Sequence, residues 1–399
     1  MENRTGLFSN AVIWFGVAIS VSEIEAGIGI GTISSGGSLW IPLILGHLLG
    51  GLLLFLVGLI GARIRLNAME MTESTFGKYG SKFFAALNVL QLVAWVAVLN
   101  AQGASALTSL NLPISFPLIC LILAAFIALW VYLGLQRIAK ITTVVMAILV
   151  MLLVVMSFKF LGVLPGVEGM LGNSQALGFW NIFEISIAMP ISWLPVISDY
   201  TKDVEKPVNA TLVSAAAYTI ASLWMYFIGV EIASIGANYS IAQAILFANL
   251  GISGIIIVAL STVTTNFLAA NSAGESAKVI YNKLNPKVAG VVVSGVSAVL
   301  AISGIMNHYI DFLYLISSVF APMAAVLLVS FYLDRDNDGD VRTWYWNMFA
   351  WLAGFVIYHA VVSMDSVILG PSLIAVITSA LLAYLWIFFR KKSIFSSKV

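Results

Sequence analysis

The chain has 399 residues, 61% of them hydrophobic and 9% charged, with a mean hydropathy of +1.02. That composition excludes a water-soluble globular domain and marks a polytopic helical membrane protein, a single domain in the lipid bilayer. A formal net charge of +1 without a long basic tract offers nothing for nucleic acid, and a single cysteine, Cys120, excludes a disulfide framework or a thiolate metal cluster.

About twelve segments are long enough to cross a hydrocarbon core of roughly 30 Å. In chain order they fall near 10–34, 38–62, 82–107, 113–134, 140–162, 178–200, 208–234, 251–280, 287–305, 309–333, 343–363 and 368–390. The first apolar stretch, from Ala11, is too long for a cleavable signal peptide. Residues 239–249 read as a short surface helix. With both termini inside, every Lys and Arg except Lys159 falls on one side, 18 of the 19. The positive-inside rule therefore predicts a multi-pass protein of the cell membrane with both termini cytoplasmic.

Two spans carry helix breakers. The first contains Gly27, Gly29 and Gly31, and the sixth contains Pro190 and Pro195 inside Pro190-Ile191-Ser192-Trp193-Leu194-Pro195. Each proline removes a backbone donor, and in lipid the freed carbonyls must find partners within the protein. Five spans separate the two breaks, so they cross the membrane in opposite directions. An inverted five-plus-five repeat with its site at the broken helices requires that arrangement. The competing reading of the glycines is close helix packing.

In the third span Asn88, Gln91, Trp95 and Gln102 lie within roughly a 60° arc of one helix face. Amides supply donor and acceptor and an indole supplies a flat surface, which suits a planar heterocycle; Asn88 and Gln102 read better as interhelical hydrogen bonds. The eighth span places Ser261, Thr264, Thr265, Asn271, Ser272 and Glu275 on one face, with Asn266 on another, so Asn271 is the expected pocket amide. Thr264 and Thr265 offer hard oxygens to a small cation, against the plainer reading that they bond back to their own helix.

Carboxylates within spans are costly, at about 3 kcal/mol or more near mid-bilayer. Glu23, Glu25, Glu184 and Glu231 are the candidates. Glu25 could accept from an aminopyrimidine, bind a coupling ion or carry a proton, whereas Glu184 and Glu231 are expected in hydrated structural roles. His47 reads as a buried, hydrogen-bonded histidine. Asp334 to Asp340 begins like a calcium loop but reads as a solvated turn, and Asn238-Tyr239-Ser240 is a glycosylation sequon. No nucleophile–base pair or clustered metal ligands suggest an enzyme.

Trp193-Leu194-Pro195-Val196-Ile197-Ser198-Asp199-Tyr200-Thr201-Lys202, with Gln91-Leu92-Val93-Ala94-Trp95, resembles the nucleobase–cation symporters of the cytosine-permease branch over essentially the whole chain. Gly46-His47-Leu48-Leu49-Gly50, Phe76-Gly77-Lys78-Tyr79-Gly80 and Asn88-Val89-Leu90-Gln91-Leu92 resemble the CytX group, linked to hydroxymethylpyrimidine, a thiamine precursor. The resemblance implies an all-α LeuT-type fold, with a first repeat over 10–162, an inverted second repeat over 178–333 and two additional C-terminal helices over 343–390. It implies cation-coupled secondary active uptake of a small planar pyrimidine by alternating access, with no obligate protein partner and no cofactor beyond a coupling Na+. Cytosine or another nucleobase, coupled to sodium or protons, is the alternative. Gln91, Trp95, Ser192, Trp193 and Asn271 or Asn266 would line the substrate pocket, with Glu25 beside it. Thr264 and Thr265 would hold sodium with first-span carbonyls near Glu25, Ala26 and Ile28.

Overall fold

The computed structural model describes residues 4–33, 39–109, 113–134, 144, 147–158, 178–235, 251–334, 340–364 and 369–396. The expected surface helix at 239–249, Lys159, the sequon and the centre of the 334–340 turn lie outside these residues. Fourteen α-helices account for most of what is described. They are α1 (Leu7–Ala18), α2 (Val21–Ile33), α3 (Trp40–Ile64), α4 (Glu73–Ser109), α5 (Phe116–Leu133), α6 (Ala147–Phe158) and α7 (Phe179–Ser192). The remainder are α8 (Ile197–Thr201), α9 (Pro207–Ile235), α10 (Ile252–Ile280), α11 (Pro286–Ile302), α12 (Tyr309–Leu333), α13 (Val341–Val362) and α14 (Pro371–Ser396). Among the described residues eight helices are long and apolar enough to cross a bilayer alone, and the bent pair α1/α2 makes a ninth. The shorter α6 and α11 and the broken pair α7/α8 occupy the three remaining expected span positions.

The packing has the pairing of an inverted repeat. Spans one and seven meet as α1 and α2 against α9, while spans six and two meet as α7 and α8 against α3. Advancing each span number by five, cyclically within ten, turns the first pair into the second. The same operation exchanges α5·α10 with α11·α4 and maps α4·α10 onto itself, and all of these contacts occur. The last two helices pack on each other and on α12, outside the repeat.

The first break is not at the glycines. The chain leaves the helix at Ile19 (φ −78°, ψ 85°), and α1 and α2 diverge by 50° there. Ser20 restarts the helix, its Oγ accepting from Glu23 N at 3.2 Å, which is half of the Ser-x-x-Glu capping box. Gly27 lies on α2 against α9, where an added Cβ would come within 2.4 Å of Tyr226 O. Close packing explains Gly27 and Gly31, whose side chains would hold α2 away from α9.

The sixth span breaks after Pro190 rather than at it. Helix α7 continues to Ser192, turns through Trp193 to Val196, and resumes as α8 at Ile197. Pro195 lies in the turn. Pro190 sits in the final helical turn, where its carbonyl accepts from Trp193 N at 3.1 Å in a tightened, 3₁₀-like bond.

Candidate functional site

The break in the sixth span frees carbonyls, and third-span amides take them up. Asn88 Nδ2 donates to Pro195 O at 2.9 Å and to Ser276 Oγ at 2.8 Å. Gln91 Nε2 donates to Ser192 O at 3.1 Å and to Asn88 Oδ1 at 2.9 Å. Both amide hydrogens of Gln91 are therefore committed, while its Oε1 is buried without a partner. Ser192 contributes its carbonyl, since its hydroxyl bonds back to Met189 O at 2.6 Å.

Two aromatic groups flank this centre. Trp193 meets Trp14 edge-on at 6.0 Å and Tyr218 at 6.4 Å. Trp95, one turn beyond Gln91, faces span ten, with Phe312 at 5.4 Å and Tyr309 at 6.2 Å. Its Nε1 is buried and unpaired. Trp14, Tyr218 and Tyr309 were not anticipated, because their single aromatic positions carry no periodic signal apart from the tertiary fold.

The eighth span divides its hydroxyls between two roles. Thr264 Oγ1 bonds back to Leu260 O at 2.8 Å, the plainer of the two readings. Thr265 Oγ1 instead reaches Val17 O at 3.3 Å and Ile19 O at 3.4 Å, beside the first-span break. The first-span carbonyls facing Thr265 thus belong to Val17 and Ile19. Ala26 and Ile28 lie on the continuous α2, and Ile28 O accepts from Thr32 Oγ1 at 2.8 Å. The Ser20 capping signal could have located this break in the sequence.

The two asparagines differ in burial and partners. Asn271 is half-buried and donates to Tyr200 OH at 3.3 Å, whereas Asn266 is 0% exposed with both amide atoms unpaired. Thr262 packs against Gly103 and Ser276 bonds Asn88, so α10 runs antiparallel to α4 in a register that sets Asn266 level with Val98 and Leu99. The helical-wheel argument weighed Asn266 against the cation face and missed that this other face looks into the third span.

Three of the four intramembrane carboxylates are tied into the protein by hydrogen bonds. Glu23 accepts from Tyr218 OH at 2.9 Å and Ser222 Oγ at 2.8 Å. His47 bridges Ser222 (2.8 Å) and Ser186 (2.6 Å), which bears out its reading as a buried, hydrogen-bonded group. Glu25 accepts from Gln102 Nε2 at 2.6 Å. Glu184 is 3% exposed, not hydrated as expected; Tyr358 OH at 3.1 Å, Ser372 N at 3.1 Å and Ser372 Oγ at 2.5 Å all donate to it. Glu231 is likewise buried, its Oε2 without a partner. The C-terminal helices that enclose Glu184 withdraw it from water.

Over residues 1–370 the chain matches the family model described as permease for cytosine/purines, uracil, thiamine, allantoin. The chain belongs to this family. Similar solved structures include Mhp1, a nucleobase-cation-symport-1 family transporter, in a closed conformation with bromovinylhydantoin bound. It has a TM-score of 0.76 and 19% identity, covering 99% of this chain and 94% of that one. Inward-facing Mhp1 has a TM-score of 0.76 at 20% identity, covering 98% and 92%. A Na+-coupled sialic acid symporter in a substrate-bound outward-open state has 0.72 at 15% identity, covering 97% and 90%. No curated protein matches the chain. The likeness establishes the LeuT-type fold with its five-plus-five repeat and two additional C-terminal helices. This member of the permease family is therefore a multi-pass membrane transporter of small molecules and not an enzyme.

Proposed function

We propose that the protein imports a small planar pyrimidine, 4-amino-5-hydroxymethyl-2-methylpyrimidine, by sodium-coupled alternating access, with both termini in the cytoplasm. The observation that carries this reading is a pair of buried, unpaired hydrogen-bonding atoms one turn apart on span three, Gln91 Oε1 and Trp95 Nε1. Both amide atoms of Asn266 are unpaired on span eight, at a level about 11 Å further along span three. Unpaired polar atoms in a protein interior cost about 1–3 kcal/mol each, and a ring edge with matching donors and acceptors relieves that cost. Because both Gln91 hydrogens are spent on the protein, Gln91 can only accept, which suits an exocyclic amine. Trp193 offers the stacking surface. Thr265 Oγ1 with the Val17 and Ile19 carbonyls forms the cation site, and Thr264 adds its hydroxyl after rotating away from Leu260 O. An ion there ties span one to span eight and so couples its binding to the position of the broken helix.

The test is thermal stabilisation of the purified transporter by hydroxymethylpyrimidine or cytosine, each in sodium or choline chloride. On this reading hydroxymethylpyrimidine stabilises only with sodium. Gln91→Ala weakens its binding at least tenfold, and Thr265→Val abolishes the sodium requirement or the binding. Stabilisation by cytosine alone overturns the substrate assignment; stabilisation indifferent to sodium overturns the coupling ion.

A further inference from the structure

A cavity of ≈ 300 Å³ is lined by Glu25, Glu184, Tyr309, Tyr314, Ser317 and Tyr358 among others; Gln91, Trp95 and Asn266 are not on its walls, and it adjoins Trp95 only through Tyr309. We propose that it is a second binding site, for a planar ring carrying an ammonium group, with Glu25 as the contacting carboxylate.

The argument starts from charge. Two carboxylates face one enclosure, and none of the described residues lining it is Lys, Arg or His. Glu184 is held on both oxygens by neutral donors from spans eleven and twelve. Glu25 commits only Oε2, to Gln102, leaving Oε1 for a ligand. A second, independent feature points the same way: Ser317 is 1% exposed and lines the cavity, and its Oγ, next to the Tyr358 hydroxyl, makes no hydrogen bond of normal geometry among the described residues. Three tyrosines line the walls, and aromatic rings attract ammonium groups.

Size selects the class of cation. A bare metal ion draws in six or so oxygens at about 2.4 Å and would leave most of this volume empty. Small-molecule sites begin at about 300 Å³, and a single ring with a methylammonium arm suits a cavity of that size. The ammonium meets Glu25 Oε1 and Ser317 Oγ in the field of Glu184, and the ring lies among Tyr309, Tyr314 and Tyr358. This assignment does not depend on the pyrimidine reading above.

Ligand-observed NMR titration of the full chain in lipid nanodiscs tests it, with benzylammonium and its neutral isostere benzyl alcohol as probes and empty nanodiscs subtracted. Wild type binds benzylammonium at least tenfold tighter than benzyl alcohol. Glu25→Gln removes that preference, Glu184→Gln reduces it several-fold, and Gln91→Ala leaves it unchanged. Equal affinity of the wild type for both probes overturns the proposal, with no variant needed. So does a preference that survives Glu25→Gln, or one lost in Gln91→Ala, which would put the ring at the other site. Competition by NaCl but not KCl at constant ionic strength would make the cavity a metal-ion site and overturn the organic cation.

Discussion

Asn88 illustrates how little a residue's type says about its task. Its amide serves as the missing donor for the carbonyl of Pro195 and fastens span three to spans six and eight. Asn88→Leu strips a buried carbonyl and a buried hydroxyl of their partner. The expected cost is about 1–3 kcal/mol, read as a lower unfolding midpoint, with ligand discrimination relaxed as well because one Gln91 hydrogen loses its acceptor. Donor accounting elsewhere puts a proton on His47 Nδ1, because Leu43 O at 3.2 Å can only accept. The sequence foresaw bonding roles for Asn88, Gln102 and His47, because a polar group on an apolar span needs a partner. It could not supply those partners, which come from other spans.

Among the elements, the glycines of α2 separate packing from conformation. An added Cβ at Gly27 meets the backbone of Tyr226 at 2.4 Å, whereas at Gly29 nothing lies within 4 Å. Gly27→Val forces α2 from α9 and is expected to destabilise by about 1–3 kcal/mol or more. Gly29→Ala, in the same helix, is expected to be neutral or to stabilise by about 0.5–1 kcal/mol through the better helix former. Thermal unfolding of the two variants side by side checks both signs. Equal losses would mean that the α2–α9 contact does not set the stability of this helix. Five spans do separate the broken elements, as their order in the chain required, but the first break lies about eight residues before Gly27. Glycine count was a poor guide there because a glycine in lipid serves close approach as readily as it serves a bend.

Across the whole molecule, the two helices beyond the repeat are anchored to it at a broken span. Tyr358 of α13 and Ser372 of α14 both donate to Glu184 of α7. Glu184→Ala leaves three buried donors without an acceptor. It should lower the unfolding midpoint by the equivalent of about 1–3 kcal/mol for each group left unpaired, discounted for relaxation. Glu184→Gln, which keeps one acceptor oxygen, should lose less. Identical behaviour of the two variants would show that the carboxylate is not what joins α13 and α14 to the transporter core.

The sequence by itself determined the class, the span positions and the inverted relation of two broken helices. Hydropathy, lysine and arginine placement and proline chemistry act locally along the chain, and each leaves a readable mark. Tertiary structure decided which carbonyls face Thr265, that Asn266 rather than Asn271 is the fully buried amide, and that Glu25 and Glu184 share a cavity. Those facts depend on the rotation and register of one helix against another, set by the small-residue contacts between α2 and α9 and between α3 and α7. A span's own composition records which face is polar but not which neighbour that face will meet.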